Sequence, residues 1–160
     1  MSPYSAAIRE RIGRDLLLLP SVAVLPVDPI GRILLVKEKD FGRWATIGGT
    51  IEPDESPEDA ALREAVEEAG VTVRLDRLLT VLGGPGYRIT YPNGDQTAYV
   101  SIVFQATVVD GTAAPDGDET TEVGWFLPRQ VSEVDLNGLN RRLLDVVLPM
   151  LAGDDLLPKE

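Results

Sequence analysis

The sequence predicts one domain of mixed helices and strands, in the α/β (α+β) class. Short apolar runs separated by Gly, Pro, Asn and Asp recur along the chain, as expected for strands joined by turns. A segment in the middle and another near the C-terminus repeat apolar residues every three or four positions, which is typical of amphipathic helices. The length of 160 residues is the usual size of one domain.

The predicted helices are separated by groups of strands along the chain. They are a helix over 3–13, strands over 22–27, 33–36 and 44–47, a helix over 57–69, strands over 78–82, 87–91, 97–109 and 123–127, and a helix around 139–148. Asn93 and Gly94 are a strong hairpin signal, so the strands on either side of them are expected to be antiparallel. We assign residues 1–17 to an N-terminal helix and extension, 18–153 to the domain and 154–160 to a frayed tail.

The composition restricts the possible chemistry. The chain contains no cysteine and no histidine, which excludes disulfides, thiolate or imidazole metal ligands and serine–histidine catalysis. Any reaction must therefore depend mainly on carboxylates. The net charge of −11 repels nucleic acid and anionic membranes, so we expect neither as a partner and expect a divalent cation as a cofactor. The absence of cysteine agrees with a cytoplasmic location.

The N-terminal segment has two interpretations. Arginines precede an apolar run over residues 16–27, as in a secretion signal, but Pro20 and Pro26 interrupt the run and no small-residue cleavage site follows. A short helix followed by a linker into a buried strand explains the segment better. The four leucines 16–19 cannot all face one core. Either the preceding helix or a second subunit covers some of them, and we favour a symmetric homodimer.

The helix over 57–69 has the clearest boundaries in the chain. Ser56 is a good N-cap, Pro57 suits the first helical position, and Gly70 provides a left-handed stop. An apolar stripe with helical spacing is predicted to pack on the sheet, and it consists of Leu62, Ala65, Val66 and Ala69.

The same helix carries three clustered glutamates. Glu64, Glu67 and Glu68 stand at positions i, i+3 and i+4, which places three carboxylates on one surface. Such a cluster is usually a solvated helix face, and it can also be a surface for a partner protein. Without a cation, each like-charge pair destabilises the helix by roughly a few tenths of a kcal/mol. Clustered carboxylate oxygens are also the ligands that Mg²⁺ prefers.

Residues 49–71, GTIEPDESPEDAALREAVEEAGV, resemble the Nudix box GX5EX7REUXEEXGU, where U is a bulky aliphatic residue. All seven specified residues match. Ala65 is small for a U position, and Ile47 stands where family members commonly carry proline. The resemblance implies an α/β/α sandwich with a mixed β-sheet. It also implies hydrolysis of the phosphoanhydride bond of a nucleoside diphosphate linked to another moiety, with Mg²⁺ as cofactor and Mn²⁺ as an alternative.

The resemblance also assigns roles to the glutamates. Glu67 and Glu68 are expected to bind the metal, and Glu64 is expected to be a ligand or the catalytic base. Gly48 is expected to offer its backbone carbonyl to the metal. The chemistry needs a base and neutralisation of the phosphate charge, and carboxylates with a metal ion can supply both.

The remaining residues of the motif are expected to build the site. Arg63, which we also group with the catalytic residues, is expected to form an ion pair with Glu55 that braces the loop against the helix. Gly49 and Gly70 are expected to permit turns. The family pattern assigns these roles. The residues are expected to position the metal ligands and not to bind the metal themselves.

Family members often recruit one more glutamate from the loop before the last strand. Glu119 and Glu122 both lie there, and we favour Glu119 because Glu122 adjoins the strand and is suited to a solvated edge. The base is therefore Glu64 or Glu119, and the sequence does not choose between them.

The substrate's second moiety is not indicated by the motif. Tyr87 and Tyr91 share a strand face by the period of two, so they are the best candidates for stacking on a base. Arg43 and Arg88 are candidates for phosphate contacts. Other aromatic candidates are Phe41, Trp44 and Tyr99.

A non-catalytic alternative has the same fold. A Nudix-fold module that senses a nucleotide without cleaving it is expected to have lost one or more metal glutamates. Here all three are present beside Arg63. The sequence therefore favours a hydrolase with a small nucleotide substrate.

Overall fold

A mixed β-sheet is the middle layer of the protein, and the computed structural model describes residues 2–152. A 3₁₀ turn at Pro85–Tyr87 lies between the fourth and fifth strands. The strands are β1 (Leu17–Pro26), β2 (Ile33–Glu38), β3 (Trp44–Thr50), β4 (Thr72–Leu82), β5 (Arg88–Thr90), β6 (Gln96–Asp110) and β7 (Thr120–Phe126). The helices are α1 (Pro3–Ile12), α2 (Pro57–Ala69), α3 (Pro128–Val131) and α4 (Gly138–Ala152).

The strands are arranged in the order β4-β6-β1-β3-β2-β7, and β5 pairs with the beginning of β6. β1 and β6 are parallel and start with Leu17 opposite Thr97, whereas the other pairs between these strands are antiparallel. β3 pairs with β2 through residues 44–46 and with β1 through residues 47–50. It therefore joins the two halves of the sheet, and its Gly48 and Gly49 lie beside β1.

Helices cover both faces of the sheet, so the predicted α/β/α sandwich is confirmed. Alternate residues of β1 point to opposite faces, with Val22 and Val24 in the cluster under α2 and Ala23 and Leu25 in the cluster under α4. No helix within residues 2–152 is both long and apolar enough to cross a membrane. The helical residues buried in these two clusters are Ala60, Ala61, Ala65 and Ala69 of α2, Val131 of α3, and Leu143, Leu144 and Val147 of α4.

The boundaries predicted for α2 are confirmed. The Ser56 hydroxyl accepts a hydrogen bond from the Asp59 N–H at 3.1 Å, and Gly70 ends the helix with φ of 67°. The predicted apolar stripe is wrong in part, because the side chains of Leu62 and Val66 are 38% and 53% exposed. The buried face of α2 instead combines alanines with Glu64 and Glu68, because small side chains let the helix lie close to the sheet.

Three other elements differ from the sequence prediction. β1 begins at Leu17, where its pairing with β6 begins, so strand alternation buries Leu19 and leaves Leu18 64% exposed. The predicted hairpin is confirmed, but Tyr87 lies in the 3₁₀ turn before β5 and shares no strand face with Tyr91. The short helix α3 has no periodic apolar pattern and was not predicted.

Helix α1 is attached to the domain mainly through one arginine. Only Ser5 is buried among its residues, so it contributes little to the core. The Arg9 guanidinium donates to the Gln96 carbonyl at 2.6 Å, to the Thr97 hydroxyl at 2.9 Å and to the Asp15 carbonyl at 2.7 Å. The first two bonds tie α1 to the start of β6.

We predict that Arg9→Ala loosens α1 without unfolding the domain. Loss of the hydrogen bonds of the Arg9 guanidinium is expected to cost about 2 kcal/mol locally, which corresponds to roughly 30-fold faster amide hydrogen exchange over residues 3–12. Arg11→Ala is the matched control, because Arg11 lies on the same helix and its side chain is exposed. Equal exchange in the two variants would contradict the assignment.

Candidate active site

A cavity of about 900 Å³ lies between α1, α2, β3, the β5–β6 turn and the loop before β7. Its lining is strongly acidic, and its arginines are Arg9 and Arg63. The acidic residues that line it are Glu38, Asp40, Glu52, Glu64, Glu67, Glu68, Asp95, Asp118 and Glu119. The structure therefore brings together the three predicted metal glutamates, Arg63 and Glu119.

Two strand glycines make room for the buried carboxylates. The Gly48 N–H donates to Glu68 Oε2 at 2.9 Å, and a Cβ on Gly48 would collide with the Val22 carbonyl of β1. A Cβ on Gly49 would collide with the Glu64 carboxylate. Both glycines lie inside β3 and neither has a positive φ. Gly49 therefore permits close packing of a helix on the sheet, and the turn expected for it is not present.

Arg63 connects the glutamates of the site. Its guanidinium forms the predicted ion pair with Glu55, through Nε at 2.7 Å and Nη2 at 3.0 Å. Nη1 also donates to Glu64 at 2.7 Å and to Glu67 at 3.0 Å. The hydrogen bond from Arg63 lowers the pKa of Glu55. Arg63 thus holds the loop before α2 and fixes the Glu64 carboxylate.

The carboxylates at the centre of the site repel one another. Burial raises the pKa of Glu68 well above its ordinary value, and the charges of Glu64, Glu38 and Glu119 raise it further. Burial also raises the pKa of Glu64, against the opposing effect of Arg63. These oxygen donors suit a hard divalent cation, whose charge would offset the repulsion.

The acidic side chains of the described residues do not converge on one point that a metal ion could occupy. Among residues 2–152 no three acidic side chains are close enough to ligate a single metal in their present rotamers. Glu68 is engaged by Gly48, and Glu67 by Arg63. Glu67 is exposed, so it can turn from Arg63 at small cost. The donor set fits the metal, and the rotamers must change to bind it.

The two candidate glutamates of the last loop occupy different places. Glu119 lines the cavity and is close enough to raise the pKa of both Glu64 and Glu68. Glu122 instead pairs with Lys37 at 2.8 Å, where β7 lies beside β2. The loop is shaped by Asp116, whose carboxylate accepts three backbone N–H groups, from residues 118, 119 and 120.

Aromatic side chains line the cavity beyond the glutamates. The hydroxyls of Tyr91 and Tyr99 are 2.6 Å apart, and the rings of Phe41 and Tyr91 are 5.4 Å apart. Tyr87 is not among them, because it packs in the cluster under α4. Arg43 does not line this cavity either and pairs with Asp135 at 3.5 Å. Of these three substrate candidates, only Tyr91 lines this cavity.

Sequence reasoning missed several charged residues of the cavity. Glu38 is the clearest, because it is half-buried where β2 ends and its carboxylate accepts a hydrogen bond from Asn137 Nδ2 at 3.3 Å. Burial raises the pKa of Glu38 to about 7. A charge directly after the apolar run of β2 was the available signal. Nothing in the local sequence connects Arg9 or Asp95 to this cavity.

The fold and the site define an α/β/α sandwich with a carboxylate site next to two strand glycines. A family model described as "NUDIX domain" matches residues 17–147. The chain belongs to this family.

Two curated relatives have similar sequences. A MutT-like protein of Streptomyces ambofaciens is 35% identical over 127 residues, which is 79% of this chain and 75% of that protein. A putative 8-oxo-dGTP diphosphatase of Bacillus subtilis (strain 168) is 33% identical over 105 residues, which is 66% of this chain and 64% of that protein. This chain therefore spans less than two thirds of the Bacillus relative.

A solved structure has the same fold. The MutT protein from Methanosarcina mazei Go1 superposes with a TM-score of 0.70, covering 89% of this chain and 99% of that protein. Its sequence is 20% identical, so this likeness supports the fold alone.

We predict that Glu38→Gln changes how the stability of the metal-free protein depends on pH. The pKa of Glu38 is about 7 in the folded chain against an ordinary value of 4.5, so the folded state binds more protons between these values. The parent therefore loses stability as the pH rises from 5 to 8, by on the order of 3 kcal/mol from this group. Glu38→Gln removes that loss, whereas the exposed control Glu58→Gln does not. Urea unfolding in EDTA at the two pH values measures it, and identical pH dependence in all three proteins would contradict the prediction.

Proposed function

We propose that the chain is a hydrolase that cleaves the phosphoanhydride bond of a nucleoside diphosphate linked to another moiety. The observation that carries the proposal is the burial of Glu64 and Glu68 against Gly48 and Gly49, with Glu67 and Glu119 on the same cavity. Buried carboxylates that repel one another favour a bound cation. The names of the two relatives, MutT-like protein and putative 8-oxo-dGTP diphosphatase, support a reaction on nucleotide phosphates.

The proposed cofactor is Mg²⁺, with Mn²⁺ as the alternative. The residues that would hold it are Glu64, Glu67, Glu68 and the carbonyl of Gly48. When bound, the ion supplies positive charge that offsets the charge developing on the phosphate oxygens. Arg63 orients the carboxylate of Glu64 through one oxygen. Either Glu64 or Glu119 accepts the proton of the attacking water.

The length of the cavity supports a substrate with two moieties. Two points along β1 mark the ends of this distance. At one end Leu17 lies opposite Thr97, which Arg9 contacts. At the other end Ala23 lies opposite Gly48. Six residues of extended strand separate these points, which is about 20 Å. A pyrophosphate alone is much shorter than this, so a nucleoside diphosphate with a further group fits better.

The aromatic side chains provide a place for the base. The charge of Glu38 affects the pKa of Glu68 and also of Tyr91 and Tyr99, so Glu38 lies close to both the glutamates and the tyrosines. Burial raises the pKa of both tyrosines, which keeps their rings neutral. We propose that Tyr91, with Phe41 and Tyr99 beside it, contacts the base.

We also propose a cytoplasmic homodimer. The support is the exposure of Leu18 on β1 and of Leu16 next to it, because a two-fold contact would cover these side chains in both subunits. The absence of cysteine in the sequence agrees with a reducing compartment.

The first prediction from this proposal concerns the metal glutamates. Glu67→Gln and Glu68→Gln are each expected to lower kcat/KM by at least about 100-fold, because each removes an anionic ligand at constant size. Glu58→Gln, on the first turn of the same helix, is expected to leave the rate unchanged.

The assay is a substrate panel with Mg²⁺, followed by analysis of the phosphate products. It includes ADP-ribose, diadenosine polyphosphates, nucleotide sugars, and oxidised and ordinary nucleoside triphosphates. Near-parental rates for Glu67→Gln or Glu68→Gln at saturating Mg²⁺ would show that the metal assignment is wrong. Binding of a panel compound without any cleavage would instead support the sensing module.

The second prediction concerns the dimer. Sedimentation equilibrium at micromolar concentration is expected to show a dimer for the parent and a monomer for Leu18→Glu, because a buried charge disrupts an apolar contact. A monomeric parent, or a dimer that the new charge leaves intact, would contradict the proposed contact.

A further inference from the structure

A second, smaller cavity lies next to the acidic one and has the opposite charge. Its volume is about 290 Å³, and three arginines line it: Arg43, Arg88 and Arg142. No aspartate or glutamate is among its lining residues. In a chain with 15 basic and 26 acidic residues, a cavity lined by three arginines and by no aspartate or glutamate is a distinct local feature.

The guanidinium groups of this cavity are largely available to a ligand. Within residues 2–152, neither Arg88 nor Arg142 forms an ion pair or a side-chain hydrogen bond. Arg43 pairs with Asp135 at 3.5 Å, but both side chains are more than half exposed, so the pair contributes little. Arginine offers planar paired donors that match the oxygens of a phosphoryl group.

The first turn of α4 adds backbone donors to the same cavity. Gly138 and Leu139 line it at the N-terminus of this 15-residue helix, where N–H groups have no partner within the helix. The space beside the Gly138 Cα is open. The positive end of the helix therefore adds to the field of the three arginines.

Only a thin partition separates the basic cavity from the acidic one. Phe41 lines both cavities. Asn137 lines the basic cavity and donates a hydrogen bond to Glu38, which lines the acidic cavity. A ligand in the acidic cavity thus lies one side chain away from the arginines.

We propose that the cavity of Arg43, Arg88 and Arg142 binds a phosphoryl group. Its closeness to Phe41 and Tyr91 favours a second phosphate of the nucleotide substrate, remote from the bond that is cleaved, and this part rests on the proposed function. A free phosphate ion is the other source of the same chemistry, and the experiments below distinguish the two.

The first experiment tests the site without any turnover. Inorganic phosphate is titrated into the full chain while NMR follows the backbone amides of Gly138 and Leu139. We expect saturable shifts in the parent and at least about tenfold weaker binding in Arg142→Ala. Arg129→Ala is the matched control, because it removes an exposed arginine that lines neither cavity, and it is expected to bind as the parent does.

The second experiment identifies the source of the phosphoryl group. ADP-ribose and 2′-phospho-ADP-ribose carry the same scissile bond and differ by one phosphate. We expect a KM at least about tenfold lower for the phosphorylated compound in the parent, with similar kcat, and no difference in KM for Arg142→Ala. Arg129→Ala is expected to keep the parental preference.

Each outcome decides the proposal. Phosphate binding without a substrate preference would support the site and assign it to a free anion. Failure of both compounds to react would overturn the assignment of the site to a second phosphate of an ADP-ribose substrate, while the proposed function is decided by the full substrate panel and the phosphoryl site by the titration. No saturable shift in the parent, or equal weakening in Arg142→Ala and Arg129→Ala, would overturn the phosphoryl site.

Discussion

The close approach of α2 to β3 is the constraint on which the rest of the structure depends. It places two carboxylates, those of Glu64 and Glu68, against the backbone of Gly48 and Gly49. Alanines on the same side of α2 keep the helix near the sheet, and the caps fix its ends. Burial of like charges is unfavourable without a compensating cation. The fold thus maintains an unfavourable arrangement that a divalent ion would relieve, and we connect the proposed chemistry to that arrangement.

The two cavities offer an anionic ligand two different kinds of contact. In the acidic cavity Arg63 is engaged by three glutamates, so phosphate binding there would depend on the metal. In the basic cavity no aspartate or glutamate is among the lining residues, and the pair of Arg43 with Asp135 outside it is exposed. Because Phe41 lines both, a single extended molecule is able to use both kinds of contact. The net charge of the whole chain does not indicate that one cavity is acidic and the other basic.

Much of the fold was predictable because its signals are local. The caps of α2, the Asn93–Gly94 hairpin and the apolar runs of the strands depend on neighbouring residues alone. The buried side of α2 was predicted correctly for Ala65 and Ala69 and wrongly for Leu62 and Val66. Hydrophobicity favours the two larger residues, while the position of the helix is set by distant glycines of β3. Contacts between remote segments, such as Arg9 with Thr97, leave no trace in local periodicity. The same reason explains why Glu38 was missed.

The most direct test of the central claim is thermal unfolding at pH 8 with and without Mg²⁺, for the parent and for Glu64→Gln combined with Glu68→Gln. At Mg²⁺ about 100 times its Kd, the parent is expected to gain about 2.7 kcal/mol, or roughly 5–10 °C in Tm. NaCl of equal ionic strength is expected to have a much smaller effect. The double variant is expected to be more stable than the parent without Mg²⁺ and to respond little to it. Equal stabilisation of both proteins by Mg²⁺ would contradict the account.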